Sequence, residues 1–307
     1  ASDVYKRQML NFKVPEIEDK EWACECLSHV HSMNCEYTFG NLFLWRAAYK
    51  INIAKYDGFL ICRWHMNNDY HYSLPLGEGN FKEAINEIIE NAKSLGAKPQ
   101  IYGVTESYKA VLDSDFEDKF AYNYDSGNYD YIYNVEDLAN LSGKKYHSKR
   151  NHITNFKKNN PDWSFEIINS DNIEECIKLH TEWIYNKDDE SSDEDYSLEF
   201  EAVLNGFENY DKIGFLGALI RVGGKPIAYT YGEALSPYCF VTHFEKAPAD
   251  MQGAYAVINQ EFAKLLLERG YKFVNREEDL GIEGLRKAKQ SYKPAVWLKK
   301  GVAVYNG

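Results

Sequence analysis

No apolar run in this 307-residue sequence approaches the roughly 20 residues that a membrane-spanning helix needs. No apolar export signal opens it either, so a cytoplasmic location is expected. Cysteine is sparse. Six residues stand at 24, 26, 35, 62, 176 and 239, with no CxxC pair and no Cys/His grouping at zinc spacing. No metal site is therefore expected, and the thiols read as free groups in a reducing compartment. The sequence also lacks a Gly-x-Ser-x-Gly elbow, a Walker or kinase-type glycine-rich loop, and an HExxH pair. Serine-nucleophile, P-loop and zinc-peptidase chemistries thus have no support. A net charge of −12 argues against a general nucleic-acid binder.

What is present is a large apolar content, 44% hydrophobic and 15% aromatic, enough for one large core or two ordinary ones. The charge is unevenly spread. Residues 144–158 hold Lys144, Lys145, Lys149, Arg150, Lys157 and Lys158, with His147 and His152 and no acid. Residues 286–300 hold Arg286, Lys287, Lys289, Lys293, Lys299 and Lys300, again with no acid. Residues 188–201 carry eight acids and no base, a pattern of a solvated loop or of a flap that turns away wrong anions. Residues 1–8, ASDVYKRQ, read as a translated adapter scar and are set aside from fold reasoning.

A local design occurs twice. Phe81, Ala84, Ile85, Ile88, Ile89, Ala92 and Leu95 make a helical stripe, Gly96 ends it, and Gln100–Val104 reads as a strand. Ala254, Val257, Ile258, Phe262, Leu265 and Leu266 repeat the stripe, Gly270 closes it, and 271–274 reads as a strand. Extended segments precede both helices, and Val222-Gly223-Gly224-Lys225 forms a hairpin turn in the second copy. The repeat predicts two similar lobes, 9–142 and 143–307, joined near Leu141-Ser142-Gly143. Tyr129, Tyr131 and Tyr133 alternate as a half-buried strand just before that boundary. The basic stretch 144–158 reads as a helix with Tyr146, Ile153 and Phe156 inward.

Three stretches together resemble one family. They are Glu36-Tyr37-Thr38-Phe39-Gly40-Asn41-Leu42-Phe43-Leu44-Trp45, then Tyr129–Tyr133 followed by Leu141–Ile153, and last Val274–Lys289 followed by Ser291-Tyr292-Lys293-Pro294. The sequence is similar, from Met9 onward, to the bacterial cytoplasmic family named after the C-terminal domain of phosphatidylglycerol lysyltransferase. That resemblance implies an α/β (α+β) protein of two GNAT-like lobes in tandem, as in the Fem peptidoglycan aminoacyltransferases. Each lobe would be a mixed, mostly antiparallel sheet flanked by helices. It implies an acyltransferase that takes an aminoacyl group from a charged tRNA, with no covalently held cofactor. The acceptor would be a small molecule, a peptide or a lipid.

The segment 276–293 is the foremost candidate site. Asp279 can cap a helix opening at Leu280, on which Arg286, Lys289 and Lys293 recur at i, i+3 and i+7 and share a face suited to phosphate. The plain alternative is a solvated helix with cations near its C-terminal end. Arg276, Glu277 and Asp279 follow a strand, where open α/β sheets bind ligands. Glu277 or Asp279 would take the proton of an attacking amine, and Arg286 or Lys289 would stabilise the oxyanion. A helix cap for Asp279 and an ion pair with Arg276 for Glu277 are the competing roles. Lys145, Lys149 and Arg150 would contact phosphates, or serve as solubilising charge. His243 and Glu245 would face one side of a strand and line the acceptor pocket, or form a structural pair. The loop Asp250-Met251-Gln252-Gly253 before the second helix is a degenerate coenzyme A cradle, with Asp250 placed against a pyrophosphate. Acetyl-CoA-dependent N-acetyl transfer is therefore the second reading, and a non-catalytic binding module on the same scaffold is the third.

Overall fold

The computed structural model describes residues 10–66, 69–117, 119–185 and 193–307. The segment 1–8 and the acids at 188–190 lie outside the described residues, as do the side chains at 193–195. Among the described residues no helix is long and apolar enough to cross a membrane. The chain divides into two compact units.

The first unit contains α1 (Lys20–Ser28), α2 (Phe39–Leu44), β1 (Asn52–Tyr56), β2 (Phe59–Met66), β3 (Asp69–Ser73), β4 (Leu76–Gly77), α3 (Phe81–Ser94), β5 (Gln100–Val104), α4 (Glu106–Phe116) and β6 (Phe120–Asn123). Asn80 caps α3 by accepting from the amide of Glu83, and the Ala84, Ile85, Ile88, Ile89 and Ala92 stripe is buried. Strands β3 and β5 run parallel, whereas β1 with β2 and β2 with β3 are antiparallel.

The second unit contains β7 (Asp130–Asn134), α5 (Val135–Asn140), α6 (His147–Asn159), β8 (Ser164–Ile167), α7 (Ile173–Tyr185), α8 (Asp193–Glu208), α9 (Tyr210–Ile213), β9 (Leu216–Val222), β10 (Lys225–Ser236), β11 (Cys239–Lys246), α10 (Ala254–Glu268), β12 (Phe273–Asn275), α11 (Glu283–Ser291) and β13 (Val296–Leu298). Its sheet has the order β13-β7-β12-β11-β10-β9-β8. Gly223 and Gly224, both at positive φ, make the expected hairpin between β9 and β10. At Gly232 the strands approach so closely that a Cβ would lie 1.9 Å from the carbonyl oxygen of Val241.

Helix α10 lays its apolar face over this sheet, and Tyr146, Ile153 and Phe156 of the basic segment join the same core. Five fully buried tyrosines anchor the unit, and each hydroxyl finds a partner. Tyr131 bonds Asp279 (2.6 Å), Tyr133 the carbonyl of Lys289 (2.8 Å), and Tyr146 the carbonyl of Tyr292 (3.0 Å). Tyr229 meets His180 (2.8 Å), and Tyr231 bonds the carbonyl of Val203 (3.2 Å).

The division between units differs from the boundary expected at 142/143. One unit ends at Tyr129 and takes back Leu298–Gly307; the other is 130–297. The physical reason is strand pairing. β7, read as the end of the first lobe, hydrogen-bonds to β12 of the second sheet. The turn at Leu141-Ser142-Gly143 merely joins α5 to the turn before α6. Conversely, β14 (Gly301–Tyr305) inserts between β5 and β6 of the first sheet. The basic segment 286–300 is accordingly not one surface: Lys300 is buried in the first unit, bonded to Glu36 at 3.2 Å.

Deleting residues 301–307 should leave β5 and β6 with unpaired facing edges and remove buried Ala303. The expected result is loss of soluble, cooperatively folding protein, read by expression yield and circular dichroism. A soluble truncated chain with an unchanged thermal transition would overturn this.

Candidate active site

β11 and β12 are a parallel pair over only three positions, Cys239 with Phe273, Phe240 with Val274 and Val241 with Asn275. β11 then continues to Lys246 along β10, whereas the other chain turns to β7, where Arg276 N–H bonds the carbonyl of Tyr131 (2.9 Å). The two strands part at this point. Asn275 fixes the departure by accepting from the Glu277 amide at 2.7 Å while donating to Asp130 at 2.7 Å. Glu277 itself adopts φ +57°, a left-handed conformation uncommon for this residue type. Strained backbone beside parted strands makes this place the candidate site.

Two sets of charged groups occupy the parting. In the first, His243 lies between two carboxylates, with Glu277 at 2.9 Å from Nδ1 and Glu233 at 2.9 Å from Nε2. The imidazole side chain is fully buried. Burial opposes its charge, but the two carboxylates outweigh burial and lift its pKa to about 9. Both nitrogens therefore donate, and an imidazolium holds the trio together. Burial raises the Glu277 pKa, partly offset by His243.

In the second set, Arg276 donates to Glu245 at 2.6 Å, and Asn259 of α10 makes a long 3.4 Å contact to the other oxygen of Glu245. Half-buried Lys149 of α6 rests over the Tyr292 ring, 3.8 Å from its centroid. Burial, and then the charge of Arg276, lower the Lys149 pKa to about 8, against a raising effect of Glu245. His243 and Glu245 thus do not pair with each other; each engages a different partner across the parting. Glu277 likewise pairs with His243 and not with Arg276.

The remaining candidates brace the loop. Asp279 is fully buried and receives Arg286 Nε at 2.7 Å and Nη2 at 3.0 Å, the Tyr131 hydroxyl, and the Gly281 amide at 2.8 Å. The Arg286 hydrogen bonds outweigh burial and hold its pKa down to about 2. Asp279 is therefore not the helix cap expected. α11 begins at Glu283, later than Leu280, because Asp279 spends its carboxylate on the turn at Gly281 and on Arg286. Lys289 points its ammonium at the carbonyls of Arg276 (2.6 Å) and Glu278. Lys293 follows the end of α11 at φ +56° and is exposed, so the three cations do not form one helical stripe.

On the second basic segment only Lys149 reaches the parting. Lys145 pairs with Asp137 at 3.2 Å on the surface, and Arg150 holds the carbonyls of Leu141 and Gly143. In the coenzyme A position, Gly253 is close-packed on α6, where a Cβ would lie 2.5 Å from the carbonyl oxygen of His152. Glu233 and Asn259 carry no separate signal in the sequence, whereas Tyr292 stands in a stretch that carries the family resemblance. Tyr131 and Tyr133 were readable as a strand, though they are fully buried and not half-buried.

Residues 28–304 match the family model described as phosphatidylglycerol lysyltransferase, C-terminal. The chain is 36% identical to a conserved protein of unknown function from Bacteroides thetaiotaomicron, with 97% of this chain and 100% of that chain covered and a TM-score of 0.90. It resembles L-PGS from Bacillus licheniformis at 18% identity, with 96% and 94% covered and a TM-score of 0.65. It resembles FemX at 10% identity, with 97% and 98% covered and a TM-score of 0.63. At these identities the latter two establish the fold, a tandem of GNAT-like lobes. A comparison with curated proteins finds no match.

Replacing His243 with Ala would leave Glu233 and Glu277 facing each other inside the protein. The expected loss is roughly 3–5 kcal/mol, the cost of breaking a buried ion pair. The folded pKa of His243 lies above its ordinary value of 6.5, so its stabilisation is full below 6.5 and lost as pH rises through about 9. Urea unfolding of both proteins across that range should show the gap between them shrinking as pH rises.

Proposed function

Because the chain belongs to the phosphatidylglycerol lysyltransferase C-terminal family, we propose that it is an acyltransferase moving an aminoacyl group from a charged tRNA to an amine or hydroxyl acceptor. Family and fold support an acyltransferase of GNAT-like type; the donor is our reading of the family resemblance. The observation that carries the site assignment is Lys149. It is a half-buried lysine with a pKa near 8, set beside the Arg276–Glu245 pair where the strands part.

Transfer in this reading is direct. The acceptor nitrogen or oxygen bonds to the carbonyl carbon, the ester C–O bond breaks, and the ribose oxygen leaves and takes up a proton. Neutral Lys149 takes the proton of the attacking group, a role suited to an amine whose pKa lies near the working pH. Arg276 stabilises the oxyanion that forms on the carbonyl. Glu277, fixed by His243, orients the acceptor. Asp279, Arg286 and Lys289 hold the 276–281 loop in shape, and exposed Lys145 and Lys293 meet tRNA phosphates. Arg150 keeps the turn before α6 in place.

Incubation with bulk charged tRNA carrying labelled amino acids should move label onto an acceptor fraction. No tRNA binding at low salt, where phosphate contacts are strongest, would refute the donor assignment. Acetyl transfer with thermal stabilisation by coenzyme A would replace it with the N-acetyltransferase reading. Lys149→Met should slow transfer about 10²–10⁴-fold. The wild-type rate should rise with pH through about 8, as Lys149 loses its proton, and this rise should vanish in the variant.

A further inference from the structure

Lys300 directly precedes β14, and its ammonium is held by three successive residues of the segment before α2. It donates to the Asn34 side-chain oxygen at 3.3 Å and to the Glu36 carboxylate at 3.2 Å, and it lies 3.6 Å from the Cys35 sulfur. Cys35 and Lys300 are 1% and 3% exposed, so their contact is shielded from solvent. The Glu36 side chain is 43% exposed and connects the pair to the surface. Asn34 fixes the arrangement from below: it is fully buried, and its oxygen also accepts from the Glu36 amide at 3.1 Å. An ion pair alone needs only the carboxylate. Here an oxidisable sulfur stands against an amine, with a proton acceptor beside that amine.

Oxidised cysteine sulfur is captured by a neighbouring nucleophile where one is in reach, a thiol or a nitrogen. Polar oxidants select exposed thiolates. Dioxygen is small and apolar, and it reaches packed interiors. We propose that Cys35 and Lys300 are the two ends of an oxidative crosslink, in which one oxygen atom from dioxygen joins the sulfur to the nitrogen. Glu36 first takes a proton from the ammonium. The S–O and N–O bonds then form and the O–O bond breaks. The second oxygen leaves as water, carrying the thiol proton and one proton of the amine. Sulfur and nitrogen each lose two electrons, and dioxygen accepts all four. The link joins residues 265 apart in sequence and fastens the start of β14 to the segment before α2. Because β14 fills the slot between β5 and β6, the crosslink secures the first sheet once its last strand has arrived.

The full chain, purified without reductant and held in air-saturated buffer, should gain the mass of one oxygen less two hydrogens. Its digest should contain a peptide pair joined through Cys35 and Lys300, and excess dithiothreitol should restore the original mass. The linked chain should unfold on heating roughly 5–10 °C above the reduced chain, because a crosslink across so long a loop restricts the unfolded state. Cys35→Ser keeps a polar contact for Lys300, and Lys300→Arg keeps the charge. Each should abolish both the joined peptides and the difference between air-treated and reduced protein. Should Lys300→Arg fail to fold, the digest of the unaltered chain decides the matter alone. Oxygen taken up at exposed Cys24 only, a sulfinic acid at Cys35 without a link, or separate recovery of the Cys35 and Lys300 peptides after air treatment would overturn the proposal.

Discussion

The buried carboxylate of Asp279 is the constraint on which the rest of the second unit's chemistry depends. It gathers a tyrosine from β7, an arginine from α11 and an amide of its own loop. An unpaired charge at that depth would be costly, so these partners are mutually obligatory. Together with the Lys289 ammonium on two carbonyls, they hold the loop in a shape that includes left-handed Glu277 and Leu280. The strain at Glu277 is sustained because Asn275, His243 and β7 over-determine it. Loop shape in turn decides where Arg276 points, and so which oxygen of Glu245 it meets.

Each unit contains a short parallel strand pair, yet the two pairs lead to different surroundings. In the first unit, β3 and β5 pair from His71 to Ser73, and the next residue of β5 is Gly103. There the Tyr37 hydroxyl bonds the Gly103 carbonyl at 3.3 Å, and Tyr37 and Asn34 fill the space a Cβ at Gly103 would need. Both are buried, and Lys300 backs them with a bond to Asn34. The corresponding place in the second unit holds ionisable groups instead of a tyrosine plug. One parting is packed shut with the chain's own side chains, and the other is lined for chemistry. This asymmetry is why the candidate site lies in the second unit and not in the first.

Much of the architecture was legible because periodicity survives wherever an element has one apolar face. Helices α3 and α10 and the Gly223-Gly224 hairpin fall where the stripe and turn residues put them. The unit boundary was not legible. Tyr129–Tyr133 reads as a strand from any sequence window, but pairing partners 140 or more residues away cannot be read from local pattern. The site was legible in part. His243, Glu245, Arg276 and Glu277 do meet at the strand parting. Their pairings were hidden, because ion pairs are set by tertiary approach: His243 finds Glu233 and Glu277, and Arg286 bends to Asp279 where spacing suggested a phosphate stripe. Asn259 carried no signal at all, since a polar residue on a helix is ordinarily solvated.

The return of β14 to the first sheet has a temporal consequence. Ribosomes make a chain from one end, at about 5–20 residues per second. Everything up to Tyr129 will have emerged long before the strand that sits between β5 and β6 exists. The first unit must therefore wait on the order of 10–40 s at those rates, with two strand edges open, for the second to be synthesised. Nascent chains of this protein are thus most exposed to mispairing or chaperone capture in the half that is made first and finished last.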